Sequence, residues 1–294
     1  MPGSSDYLLK LSRAHGHLND LQENIFQWLD GNHHTLRSHR DPERPNYLSI
    51  RVTVQDIPAD PFALLVGDIL HNLRGCLDHL VYALALKYTS PLPDDIVKGC
   101  EFPIFGDKNA KGMLGAGPHM FKSNGLNKIR GIHPGAQAVI KGLQPYHRGK
   151  DFASDPLWVL HELSNIDKHR LLIMAHCHST AMVMDVDRFR TEGNTIILAG
   201  PMNVYGGFIE GETEVLNCHA IPADPSRDMN VEFFRPLLDI GFKCGSIVDG
   251  IGLTSVLGNI HSHILTDVIP PLSKFLGVVH IGEPIQSRDS CVAS

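Results

Sequence analysis

Between Val66 and Tyr82 the chain reads VGDILHNLRGCLDHLVY, where Asp68, His71, Asn72, Arg74, Asp78 and His79 stand without a single Lys or Glu. Solvated helix faces are normally built from Lys and Glu, which form helices well and stay hydrated. A face of Asp, His, Asn and Arg on an otherwise apolar helix borders a cleft or an interface instead, because enclosed polar groups are costly unless bonded or in use. At about 100° per residue, Phe62, Val66, Ile69, Leu73, Cys76, Leu80 and Leu84 share the opposite face, which predicts core. Gly75, within the polar face, forfeits about 1 kcal/mol of helix propensity, which predicts the close approach of a neighbour.

A second segment, HELSNIDKHR, gathers His161, Glu162, Asn165, Lys168 and His169 within an arc of about 120° if it is helical. Three roles are open to two such faces. In the first, histidines serve as acid and base while Arg74, Lys168 or Arg170 holds an anion, and no metal is needed. In the second, Asp68, His71, His79, His161, Glu162 and His169 ligate iron, manganese or zinc between helices for work on a small-molecule substrate; Asp68 and His71 have the i, i+3 spacing of such sites. In the third, the polar residues only pair two helices, and a β-rich half binds a partner. HELSN lacks the second His of a HExxH zinc motif, GMLGAGPHM lacks the GK[ST] of a phosphate loop, and no Ser or Cys stands in a nucleophile elbow.

The segments LSRAHGHLNDL, GDILHNLRGCLDHL, EFPIF, LQPYH and LWVLHELSNIDKHRLL together resemble a family of uncharacterised bacterial proteins over roughly residues 7–175. That resemblance implies that the segments form one unit and implies no chemistry. Separately, Arg74-Gly-Cys-Leu-Asp-His79 is similar to the Arg-(four to six residues)-His motif of HEPN domains, helical modules that are often dimeric, metal-independent endoribonucleases. The chain departs from that pattern at Gly75, where a polar residue usually follows the Arg, and in its β-rich half. The resemblance implies that His79 acts as general base or acid on a ribose 2′-hydroxyl, that Arg74 offsets charge on the phosphorane, and that RNA is the substrate of a homodimer.

These faces need elements to carry them. Apolar residues at Tyr7, Leu11, Ala14, Leu18, Leu21, Ile25 and Trp28 alternate by four and three, which predicts a helix of about six turns packed along its length, started by Ser5 or Asp6 and ended near Gly31. NHHTLRSHRDPERPN reads as polar turn, YLSIRVTVQD as a strand and EFPIF as a short strand within a loop-rich stretch from Pro91 to Gly125. A helix is expected from Pro134 to Leu143, and another from Asp155-Pro156, broken near Asn165 to Asp167. LLIMAHCHS, AMVMDVDRF, NTIILAG, ETEVLNCHAI and MNVEFFRPLLDIGF then read as strands, and a closing helix from Ser246 to Val268 is stopped by Pro270 and Pro271.

The fold class is therefore α+β: a helical region over 1–175, a β-rich region over 176–245, a helix within 246–280 that returns to the helical part, and a disordered tail over 281–294. At 294 residues and 43 % hydrophobic content the chain can fill a sizeable core, and a net charge of −6 excludes a broad basic surface, so any RNA contact must be local. Eighteen histidines make imidazole the chemistry to follow. Six cysteines without a CxxC fit reduced thiols, and the chain shows neither a leader-like start nor a membrane-length apolar run, which together imply a soluble, cytoplasmic protein.

Overall fold

A computed structural model describes residues 5–31, 33–41, 43–55, 57–107, 115–169, 174–184, 196–198, 203–204, 206–222 and 234–277. The four-and-three alternation does form one helix, α1 (Asp6–Asp30), which buries Tyr7, Leu11, Ala14, Leu21, Ile25 and Trp28. Ser5 stands at its N-cap without a side-chain cap bond, so the start relies on Asp6 beside the positive end of the helix dipole. The polar-faced segment lies in α2 (Ala59–Tyr88), whose 30 residues span about 45 Å. Its core face is buried as the spacing predicts, and Leu70, Leu77 and Val81 are buried beside it. The α1–α2 pairing is the most extensive helix contact in the structure. Each fully buried Leu or Ile side chain along it contributes about 1.5–3 kcal/mol.

Three short helices, α3 (Asp94–Gly99), α4 (Gly117–Met120) and α5 (Leu126–Lys128), lead to α6 (Pro134–Gly142) and α7 (Pro156–His169). α7 runs unbroken through Asn165 to Asp167 and packs on α2. EFPIF is not a strand. Phe102, Pro103 and Ile104 are all buried, and the partners of this backbone include side chains: Phe105 N–H donates to Gln144 Oε1 at 3.0 Å, and Gln144 Nε2 donates to the Pro103 carbonyl at 2.8 Å.

The polar turn expected after α1 is also a strand. β1 (His34–Asp41) pairs antiparallel with β2 (Arg44–Val54), and Thr35, Arg37 and His39 lie exposed between less exposed neighbours. The alternation is there, carried by Thr, Arg and His rather than by apolar residues. Then follow β3 (Met174–Met184), β4 (Ile196–Leu198), β5 (Asn203–Val204), β6 (Gly207–Phe208), β7 (Thr213–Pro222) and β8 (Phe234–Lys243). LLIMAHCHS and AMVMDVDRF contribute to one bulged strand, β3, not two. One sheet has the order β1-β2-β7-β4, with β5 also on β7, and a second has the order β6-β3-β8. Because β2 pairs with β7, residue 175 is no boundary in space: a hairpin from the first region is built into the sheet of the second.

The closing helix α8 (Leu253–His263) starts seven residues later than expected, because the Asp249 carboxylate first folds a turn by accepting N–H bonds from Cys244 and Gly245 at 2.8 and 3.0 Å. It also outlasts the prolines. A π-helical turn over Ile264–Val268 resets the hydrogen bonding, so that α9 (Ile269–Ser273) carries Pro270 and Pro271 in its first turn, where an N–H has no helical partner to lose. α8 contacts α1, α2 and α7, closing the helical core. The tail assigned to 281–294 lies outside the described residues. Among the described residues, no helix is long and apolar enough to cross a membrane.

Candidate functional site

The polar face of α2 does three different things around its circumference. Arg74 and Asp78, one turn apart, clasp the backbone of Phe102. Arg74 Nη2 donates to the Phe102 carbonyl at 2.6 Å and to Asp78 Oδ1 at 3.1 Å, while Asp78 Oδ1 accepts the Phe102 N–H at 2.9 Å. Glu101 lies 3.8 Å from the same guanidinium and pairs with Lys128. Burial pushes the Asp78 carboxyl above the usual carboxylate range, against the opposing pull of Arg74 and of the Phe102 N–H.

α7 brings the second face opposite. Asp155 Oδ1 caps its start by accepting the Leu157 N–H at 2.9 Å. His161 is half-buried beside the Trp158 ring, centroids 5.3 Å apart, with its Nε2 3.1 Å from the Asn165 side-chain nitrogen. As that amide is oriented it donates to Nε2, which leaves the ring proton on Nδ1. Burial first, then the charges of Arg74, Lys128 and Lys168, bring the His161 pKa down to about 4 against the opposite pull of Glu101. The imidazole is neutral at pH 7. It stands in the wall of a cleft of about 590 Å³ with Trp158, Glu162 and Asn165, facing the Cys244–Ile247 turn. A second cavity, of about 190 Å³, lies between α2 and α7, bordered by His71, Arg74 and Asp78 on one side and Ser164, Asp167 and Lys168 on the other.

The structure thus brings His71 and Arg74 to one cavity, with Glu162 and His161 in the neighbouring one, and leaves the others outside. His79 and Asp68 are exposed and border neither cavity. Five residues beyond Arg74, His79 lies about 140° further round the helix and is exposed, while Arg74 turns to the Phe102 carbonyl. Asn72 faces α1 instead: its amide donates to the Asp68 carbonyl at 2.8 Å, and its Oδ1 lies 3.5 Å from Lys10 Nζ. The side chain of His169, and all of Arg170, fall outside the described residues. Of the metal set, His71 borders one cavity and His161 and Glu162 the other, and among the described residues no group of three or more His, Cys, Asp or Glu side chains is placed to hold a metal ion.

Gly75 also reads differently in place. A Cβ built there meets only the Lys10 stem, 3.6 Å away, an ordinary contact. Gly75→Ala is therefore expected to fold normally and to gain about 0.5–1 kcal/mol in urea unfolding, and a loss would restore the expectation of a close neighbour. Spacing did not single out Ser164, Glu101, Lys128 or Trp158. For Ser164 a signal was present, its position three residues after His161 on the same side of the helix.

Among the described residues, two further histidines are placed by packing. His178 is buried 3.9 Å from Asp239, and Gly241 leaves room for its ring, which a Cβ would approach to 2.8 Å. The His261 ring lies tilted against that of His15, centroids 5.1 Å apart, where α8 meets α1. The described cysteines are free, and burial raises the thiols of Cys76 and Cys177 to about 12. Comparison of the chain with protein-family models, with curated proteins and with solved structures found no match.

Proposed function

We propose that the chain is a metal-independent acid–base enzyme that cleaves single-stranded RNA at the 590 Å³ cleft, with His161 in the role that the HEPN resemblance assigns to His79. One observation carries this reading: an imidazole held neutral, within the reach of three cationic side chains, in the wall of an open cleft. Arg74, Lys128 and Lys168 act on the ring through space without lining the cleft; the negative charge of a phosphodiester bound beside His161 offsets their push, so the proton affinity of the ring rises toward neutral pH. Once the Asn165 amide turns away from Nε2, His161 can take the 2′-hydroxyl proton on that nitrogen as the 2′-oxygen attacks phosphorus, and pass it to the departing 5′-oxygen. The cations offset charge on the phosphorane, and Trp158 offers an aromatic face to a nucleobase, as single-strand readers do.

The test is cleavage of a mixed single-stranded RNA pool in EDTA. The wild type is expected to leave 2′,3′-cyclic phosphate ends, His161→Ala to lose about 100-fold or more, and His79→Ala to stay close to wild type. Loss in His79→Ala with retention in His161→Ala would return the chemistry to the motif pair, and an inert wild type would remove the reading. The Arg74 clasp on Phe102 favours a second reading, a non-catalytic interaction protein whose polar faces only join elements. In that case the wild type is inert and His161→Ala changes stability alone.

A further inference from the structure

We propose that the 190 Å³ cavity between α2 and α7 is a binding site for a phosphate-sized oxyanion, held by Arg74 and Ser164 with Lys168 and His71 at its edge. His71, Arg74, Gly75 and Asp78 fall at i, i+3, i+4 and i+7, one stripe of α2, and Ser164 and Lys168 at i and i+4 form the facing stripe of α7. Two polar atoms of these walls have no hydrogen-bond partner: Nη1 of Arg74 and Oγ of Ser164. Ser164 is only 6 % exposed, and a buried donor left unmatched costs about 1–3 kcal/mol.

Serine in a helix usually turns its hydroxyl back to the carbonyl one turn earlier, and Ser164 does not. Arg74 is asymmetric in the same way. Its Nη2 is taken up by Phe102, Asp78 and Glu101, and the other arm of the guanidinium fork is idle. Unmatched donors on facing helices around one cavity are what an oxyanion satisfies, and a guanidinium with a hydroxyl is a strong donor set for it.

The volume agrees: 190 Å³ is about six waters at roughly 30 Å³ each, enough for a phosphate group and part of its hydration. Two carboxylates also border the space, and neither occupies the donors. Asp78 Oδ1 is held by Arg74 Nη2 and the Phe102 N–H. Asp167 packs at Gly67, where a Cβ would lie 3.0 Å from its Oδ1, and Gly67 is two turns of α2, about 10 Å, from Arg74.

This site shares Arg74 and Lys168 with the reaction proposed at His161, so its test uses nothing that the reaction can cleave. Inorganic phosphate is titrated into the protein at constant ionic strength, followed by calorimetry and by the Arg74 guanidinium and His71 ring resonances. A single-stranded deoxyoligonucleotide, which has no 2′-hydroxyl, forms the second arm. Saturable phosphate binding that moves both resonances is expected, weakened roughly tenfold or more by Ser164→Ala and by Lys168→Gln. Ser164→Ala removes a hydroxyl that bonds nothing and Lys168 is exposed, so both variants are expected to keep the fold. Competition by the oligonucleotide identifies a nucleic-acid phosphate as the natural occupant, and its absence identifies a free oxyanion. Binding that survives both substitutions, or none that saturates by tens of millimolar phosphate, overturns the site.

Discussion

Replacing Arg74 with alanine is expected to destabilise the protein by about 2–3 kcal/mol in urea unfolding at neutral pH, more than any other substitution on the polar face of α2. The change strips the Phe102 carbonyl of its donor and leaves Asp78 with a raised pKa and no cation beside it. Breaking a fully buried ion pair from one side costs about 3–5 kcal/mol. Here the side chains of Arg74 and Asp78 are 15 % and 32 % exposed, so water recovers part of the loss and the lower figure applies. Lysine recovers little of it, because one ammonium cannot reproduce the planar fork that spans a carboxylate and a carbonyl. In a double-mutant cycle with Asp78→Ala the combined loss should fall short of the sum, since both substitutions undo the same clasp. An Arg74→Ala protein within about 0.5 kcal/mol of wild type would show that the clasp contributes nothing, and would return Arg74 to the strained, function-first residue that the HEPN pattern implies.

The clasp also marks where local pattern stops being informative. Arg74 and Asp78 are one turn apart and can be paired by spacing alone, but the backbone they hold belongs to Phe102, 28 residues beyond Arg74. EFPIF misleads for the same reason. Its apolar letters suit a buried strand, and nothing within the five residues says that Arg74, Asp78 and Gln144 supply the partners a neighbouring strand would supply. Long apolar periodicities are legible because they are local: α1 and the core face of α2 follow from spacing. β1 follows the same period of two in Thr, Arg and His, an alternation that hydropathy does not register.

The candidate site divides along the same line. That two polar faces meet is readable from their composition. Which residues meet depends on rotation about two helix axes, and that rotation is set by what lies on the flanks. α1 covers the Asn72 side of α2 through Lys10, and Gly67 lets α7 approach at Asp167, so the α7 contact falls on the Arg74 side and His79 is left to solvent. His161 and His79 are equal as letters in a helix; only the surroundings separate a half-buried imidazole beside three cations from an exposed one.

Those surroundings set the pH dependence of stability. The His161 pKa is about 4 in the folded chain and about 6.5 when unfolded, so between these values the unfolded state binds more proton and stability rises with pH. The contribution is complete above about pH 6.5 and is lost as pH falls toward 4, at most about 3 kcal/mol across the window. Asp78, whose raised carboxyl favours the folded state on protonation, opposes it at the acid end, whereas His34, His178 and His261, all lowered chiefly by burial, add to it with the same sign. The measurement is therefore a comparison. Urea midpoints of wild type and His161→Gln are followed from pH 7.5 to 4.5, and the variant, which has no proton to gain there, is expected to show a shallower fall. Parallel curves would mean that His161 is protonated alike in both states and that the cations around it do not act on the ring. Under the proposed reaction, a non-cleavable deoxydinucleotide should move the His161 ring titration upward, because its phosphate offsets Arg74, Lys128 and Lys168. A titration that stays in place, with the dinucleotide shown to be bound, separates the neutral histidine from the chemistry assigned to it.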